Sequence, residues 1–329
     1  MPDLSVSISE IDAVVKQAAL PIMLSAYRAT DPFYSRVCTV VDNSQASHPY
    51  LGHRALDVIG PGQFQEIELG QELPATNMGN GYPRQGRIRK MGSKLGLPKE
   101  FFFASSWQAD LIGRVRGLAD TWGRNAMTGK DKFVAGMLLD GTLSAGSMTY
   151  FNNSFTGFPD SNAGKTYDGT ALFVASGKPI LGASTTFSNL TVSRSLSSAN
   201  LQTTLTTVES TNAVDERGEK IDVSAEFLVT GKDLEFTADT ILNSAQVAGS
   251  ANNDVNVLRG RLTAVATPHL TTAGAWWLLN RQNIVAIDSG EPVIEVVQVG
   301  ELVEVRAVYY FGAYVQDWRG SYACNKAAS

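Results

Sequence analysis

Between Ser105 and Met127 the sequence carries a long amphipathic pattern, and this stretch restricts the possible folds more than any other. Trp107, Leu111, Val115, Leu118, Trp122 and Ala126 recur at intervals of 4, 4, 3, 4 and 4 residues. That spacing puts all six on one helical face. Ser105 or Ser106 supplies an N-cap, and Asp110, Arg114, Arg116, Asp120 and Arg124 occupy the other faces. At 1.5 Å per residue the helix over 106–127 spans about 33 Å. This is the strongest helix signal in the chain. Thr128-Gly129 reads as an interruption, after which Phe133, Val134, Met137 and Leu138 resume the stripe.

The residues before this helix are expected to be mostly extended. Ser9-Glu10-Ile11-Asp12 resembles a capping box. It opens a short helix with Ile11, Val14, Val15 and Ala18 on its apolar side, and Pro21 is expected to end that helix. Residues 20–55 read as an irregular arm with few local partners. Residues 60–96 read as a long hairpin. On the outgoing strand, Gln63 to Gln71, Ile67 and Leu69 alternate with Glu66 and Glu68; the tip is Thr76 to Gly81; the return strand carries Arg84, Arg87, Arg89, Lys90 and Lys94. Opposite charges facing across strands contribute about 0.2–1 kcal/mol per pair. A long isolated hairpin is marginal in water, so this one needs a second surface.

Residues 141–192 are rich in Gly, Ser, Asn and aromatics and read as long loops with short strands. From 197 helices and strands alternate. Ser197 or Ser198 caps a helix bearing Leu201, Leu205 and Val208, Ala225 to Thr230 is a short buried strand, and Asp233 opens a helix with Leu234, Ala238, Ile241 and Leu242. Further strands are expected near 257–266, 275–279, 283–288 and 293–299. In 301–311, Val303, Val305, Ala307, Tyr309 and Phe311 point one way. The fold class is α+β.

Chemistry is hard to find in this chain. Its three histidines, His48, His53 and His269, show no metal-ligand spacing. The two cysteines, Cys38 and Cys324, read as inert thiols. No G-x-S-x-G elbow occurs. Gly164-Lys165-Thr166 lacks the first glycine of a phosphate loop, since Pro159 stands there. Asp160 to Asp168 resembles a calcium loop without its twelfth-position acid, which is Ala171. The sequence therefore points to no cofactor, no metal site and no enzymatic activity. A signal peptide and a membrane span are not expected. With 27 Lys and Arg against 32 Asp and Glu, the net charge is −5, which argues against a strongly basic nucleic-acid binder. Only 18% of residues are charged, a composition suited to a surface partly buried against copies of itself.

Several segments resemble a known family. Ala199-Asn200-Leu201-Gln202, Asp215-Glu216-Arg217-Gly218, Leu234 to Asn243, and Asn252 to Gly260 are similar to segments of the major capsid (major head) proteins of Mu-like tailed phages. So are Asp168 to Phe173, Phe311-Gly312-Ala313 and Asp317-Trp318-Arg319-Gly320. Residues 20–100 agree in layout only. The resemblance implies the HK97-type capsid fold, with an N-terminal arm (1–55), an E-loop hairpin (56–98), a P-domain with spine helix and loop insertion (99–192), an A-domain (193–285) and return strands to the P-domain (286–329). Glu66, Glu68, Arg84, Arg87, Arg89 and Lys90 would be inter-subunit contacts of the E-loop; Trp107, Leu111, Val115, Leu118 and Trp122 would pack the spine helix. The implied partners are other copies of the chain, in pentamers and hexamers of an icosahedral head, together with portal, scaffold and decoration proteins and packaged double-stranded DNA. The implied location is the virion, after assembly in the host cytoplasm. An encapsulin-like nanocompartment shell is the alternative on the same fold. The acidic net charge would suit a wall that confines DNA without adhering to it.

Overall fold

The computed structural model describes residues 8–44, 53–59, 79–86, 88–98, 105–143, 149–150, 153–154, 166, 170–179, 186–215, 218–247 and 254–326. Their architecture is α+β, with two principal sheets and a pair of long helices.

The N-terminal region departs from the extended arm expected of it. It forms α1 (Ile8–Arg28), α2 (Phe33–Val37) and strand β1 (Thr39–Asp42). Pro21 lies inside α1 rather than ending it. Proline removes one backbone donor and crowds the preceding turn, but Pro21 is on the exposed side of α1, where water reaches the freed carbonyl. On the opposite side Val15, Ala19, Met23 and Ala26 are buried. Burial of that stripe across the proline outweighs its local penalty.

Strands β2 (His53–Ile59) and β3 (Gly79–Gly86) pair antiparallel, with Ala55 opposite Arg84 and a register shift between Leu56 and Val58. The expected outgoing strand 63–71 and most of the tip lie outside the described residues. Strand β4 (Arg89–Pro98) follows. Then comes α3 (Ser105–Leu139), one continuous helix of 35 residues, about 52 Å long. The interruption expected at Thr128-Gly129 does not occur. Gly129 instead permits a close approach: a Cβ there would fall on the Tyr309 hydroxyl.

Two short ladders, β5 (Thr149–Tyr150) with β6 (Asn153–Ser154) and β7 (Lys178–Pro179) with β8 (Thr186–Phe187), lie in the loop-rich region. Next come β9 (Leu190–Thr191), then α4 (Ser198–Thr206), whose last turn widens into a π-helix over 207–211. Ser197 is the N-cap, its Oγ accepting from the Asn200 N–H at 3.3 Å. The remaining elements are β10 (Phe227–Gly231), α5 (Glu235–Asn243), β11 (Thr263–Thr267), β12 (Trp276–Leu279), β13 (Ile284–Asp288), β14 (Val293–Val299), β15 (Leu302–Val315) and β16 (Tyr322–Cys324).

The first sheet is built on β15. Strands β13 and β14 pair in succession along it, β4 also pairs with it over ten residues, and β1 pairs parallel with β13. Helices α1 and α3 lie together on this sheet. Val15, Ala19 and Met23 of α1 meet Val115, Ala119 and Trp122 of α3 over Ile294, Val303, Val305 and Ala307. The second sheet has the order β11-β10-β12-β16-β9. Alternate residues of it face two cores. Phe227, Val229, Trp277 and Leu279 face the one shared with α3 and Phe311; Leu228, Trp276 and Leu278 face the one under α4 and α5.

Candidate assembly surface

The part of the basic return arm from Arg89 onward belongs to the body of the molecule, whereas Arg84 lies on β3, in the separate β2–β3 ladder. Strand β4 pairs with β15 from Arg89, opposite Phe311, to Pro98, opposite Leu302. Its cations meet carboxylates of that sheet. The Lys94 Nζ donates to Glu304 Oε1 at 2.5 Å, and Arg306 donates to Glu304 Oε2 from Nε at 2.9 Å and Nη2 at 2.6 Å. Glu304 is buried. The Lys94 hydrogen bond, reinforced by that from Arg306, holds its carboxyl below the ordinary glutamate pKa. Lys90 lies 4.0 Å from Glu295 and 5.9 Å from the Tyr310 ring centroid. Arg89 is half-buried on the same strand. Glu66, Glu68 and Arg87 lie outside the described residues, as does the side chain of Arg84. The expected facing of Glu66 and Glu68 with the return arm falls there too, whereas Lys90 and Lys94 face Glu295 and Glu304.

Of the spine-helix residues, Val115 and Trp122 are buried and Leu118 is half-buried against the same cluster. The side chains of Trp107 and Leu111 lie outside the described residues. What covers the stripe was not foreseen: α1 runs alongside α3 in contact close enough that Gly123 has no room for a side chain.

A buried polar hub that sequence reasoning missed fixes the N-terminal elements. Lys130 of α3 is fully buried. Its Nζ donates to Asp288 Oδ1 at 2.6 Å, to the Tyr27 hydroxyl at 2.6 Å and to the Gly290 carbonyl at 3.1 Å. The Tyr34 hydroxyl donates to Asp288 Oδ2 at 2.6 Å. Beside the hub, Asp131 Oδ1 accepts from the Tyr34 N–H at 3.0 Å. One cluster thus joins α1, α2, α3 and β13. Burial lowers the Lys130 pKa, and Asp288 opposes that shift; burial raises the tyrosine pKa values, that of Tyr34 the more. The available signal was the pair Lys130-Asp131 inside a run that is otherwise apolar on its inner face.

The exposed surface offers further places for neighbours. Phe236 of α5 is 82% exposed, and Val255 and Val257 are 77% and 70% exposed. Val299 and Leu302 flank the two-residue turn Gly300-Glu301 between β14 and β15 and are also exposed. Large apolar groups at such positions suit contact with another protein.

The sequence matches the family described as "Phage capsid protein" over residues 103–324. No curated protein matches it. Among solved structures the fold is similar to that of Mycobacterium phage Ogopogo, with 9% identity, 91% of this chain and 94% of the other covered, and a TM-score of 0.49. It is similar to Mycobacterium phage Patience at 13% identity, 97% and 89% coverage and a TM-score of 0.48. It is also similar to the capsid of Myoviridae phage XM1, at 13% identity, 90% and 92% coverage and a TM-score of 0.47.

Proposed function

Because the chain belongs to the phage capsid protein family, we propose that it is the major capsid protein of a Mu-like tailed phage and works by assembly rather than catalysis. The family match, over about two thirds of the chain, carries this reading. The mechanism is the formation of many weak contacts that a closed shell makes simultaneous. In this reading residues 1–55 are the N-terminal arm, 56–98 the E-loop, 99–192 the P-domain with its spine helix, 193–285 the A-domain, and 286–329 the return strands of the P-domain.

A-domains meet around five- and six-fold axes, where exposed Phe236, Val255 and Val257 are available to neighbours. The E-loop reaches over an adjacent subunit through Glu66, Glu68, Arg84 and Arg87, while Arg89 and Lys90 anchor its base on β4. The head encloses double-stranded DNA without sequence-specific contacts, and portal, scaffold and decoration proteins complete it. Assembly takes place in the host cytoplasm and the product is the virion.

The test is assembly of wild type and of Glu66→Lys/Glu68→Lys, followed by size-exclusion chromatography and negative-stain microscopy. Wild type is expected to form closed shells. The variant is expected to fold, with unchanged circular dichroism, and to fail in shell formation. Normal shells from the variant would overturn the E-loop assignment. Shells filled with protein cargo in place of nucleic acid would overturn the phage-head reading in favour of a nanocompartment.

A further inference from the structure

Between residues 113 and 125 helix α3 is covered by α1 and the first sheet on one side. Its other side, between residues 113 and 125, exposes Gly113, Arg114, Arg116, Gly117, Thr121 and Arg124. In the sequence the carboxylates on and beside this stretch are Asp120, which lies 3.1 Å from Arg124, and Asp110, one turn before Arg114. On a chain with net charge −5, this face is locally cationic, and every cation on it is an arginine.

Four of the five glycines of α3 divide into two kinds. Gly123 and Gly129 are required by packing within the chain, against Met23, Ala26 and Tyr27 and against Tyr309. At Gly113 and Gly117 an added Cβ would meet nothing within 4 Å. A mid-helix glycine costs about 1 kcal/mol relative to alanine, and nothing inside the described subunit requires these two. They lie one turn apart among the arginines, and they lower the surface so that a broad partner can approach the helix backbone.

We propose that this face of α3 contacts the phosphate backbone of duplex DNA, an inference that rests on the reading of the shell as a DNA-filled head. Three features favour duplex DNA over a protein partner. Arginine presents a planar fork that suits phosphate. The exposed residues from 113 to 125 include no aromatic or methionine anchor to accompany the arginines, as the centre of a protein interface would. Residues 113–124 extend over about 16 Å, along which a duplex presents roughly ten phosphate charges. Contacts of this kind position the duplex without reading bases. The acidic wall is then relieved locally by a weakly adhesive stripe, repeated in every subunit, that holds the outermost DNA layer.

The test is photo-crosslinking in purified DNA-filled heads carrying p-benzoylphenylalanine at Thr121, or at Asn125 should the first substitution prevent assembly, with the same probe at Phe236 for comparison. The expected result is a nuclease-sensitive DNA adduct of the chain from position 121 or 125, at least several-fold above that from position 236. The Arg114→Gln/Arg116→Gln/Arg124→Gln background should reduce that adduct several-fold. DNA-filled heads in which positions 121 and 125 give only protein–protein adducts, including adducts to an acidic protein, overturn the inference alone. Shells that never contain DNA overturn the underlying reading and this inference with it.

Discussion

Gly123→Ala tests how closely α1 rides on the spine. A methyl group at 123 would lie 3.0 Å from Ala26 Cβ and 3.0 Å from the Tyr27 nitrogen, and well inside contact distance of the Met23 carbonyl oxygen. Carbon atoms in contact sit about 3.5–4.0 Å apart, so α1 must retreat by about 0.5–1 Å along this turn. That shift loosens Ala19, Met23 and Trp122 together. Overpacking of this kind costs about 1–3 kcal/mol, against which alanine returns about 1 kcal/mol of helix propensity. The expected net effect runs from near zero to a loss of about 2 kcal/mol. Gly117→Ala, in the same helix, meets open space and keeps the propensity gain alone, about 0.5–1 kcal/mol. The difference between the two variants isolates the strain at the crossing and should be about 1–3 kcal/mol. Urea unfolding of unassembled subunits, followed by tryptophan fluorescence, measures both. Equal stabilisation by both substitutions would refute the α1–α3 crossing described above.

Further outcomes follow from the buried charges and thiols. Asp288→Ala leaves the Lys130 ammonium buried with only the Tyr27 hydroxyl and a carbonyl, and should cost about 3–5 kcal/mol. Lys130→Met leaves Asp288 with donors from Tyr34 and the Gly290 N–H, and should cost clearly less by the same unfolding assay. Glu304 has a folded-state pKa below its ordinary value of 4.5. Its contribution is therefore complete above that value and lost as pH falls through the lowered one; Glu304→Gln should flatten the wild-type decline in stability below about pH 4.5, measured by unfolding across that range. Cys38 and Cys324 are buried, and burial raises both thiol pKa values, that of Cys324 to about 12. Neither should react with a thiol reagent in the native subunit, and both should react after unfolding.

The α3 stripe was legible because a 3.6-residue period over six apolar positions has few other interpretations. The closing strands were legible for the same kind of reason: Val303, Val305 and Phe311 alternate along the face of β15 that packs on α1, α3 and the shared core. The misreadings came from local rules that long-range packing overrode. Pro21 suggests a helix end, yet the sheet and α3 bury the stripe on both sides of it. Gly129 suggests a break, yet it is the seat of Tyr309 from a strand 180 positions away in sequence. The hub of Lys130, Asp288, Tyr27 and Tyr34 draws on four separate elements, and no spacing along the chain announces it. For the hairpin, the local pattern located basic residues but not their partners: β4 finds Glu295 and Glu304 more than 200 positions away.

Cryo-electron microscopy of the purified assembly is the most direct test of the central claim, that this chain is the repeating wall of a phage head. The expected result is a closed icosahedral shell whose density is filled by copies of this chain in five- and six-fold clusters, with α3 as the spine of each. A chain that remains monomeric when co-expressed with its scaffold and portal partners, or a shell whose wall is another protein, would contradict it.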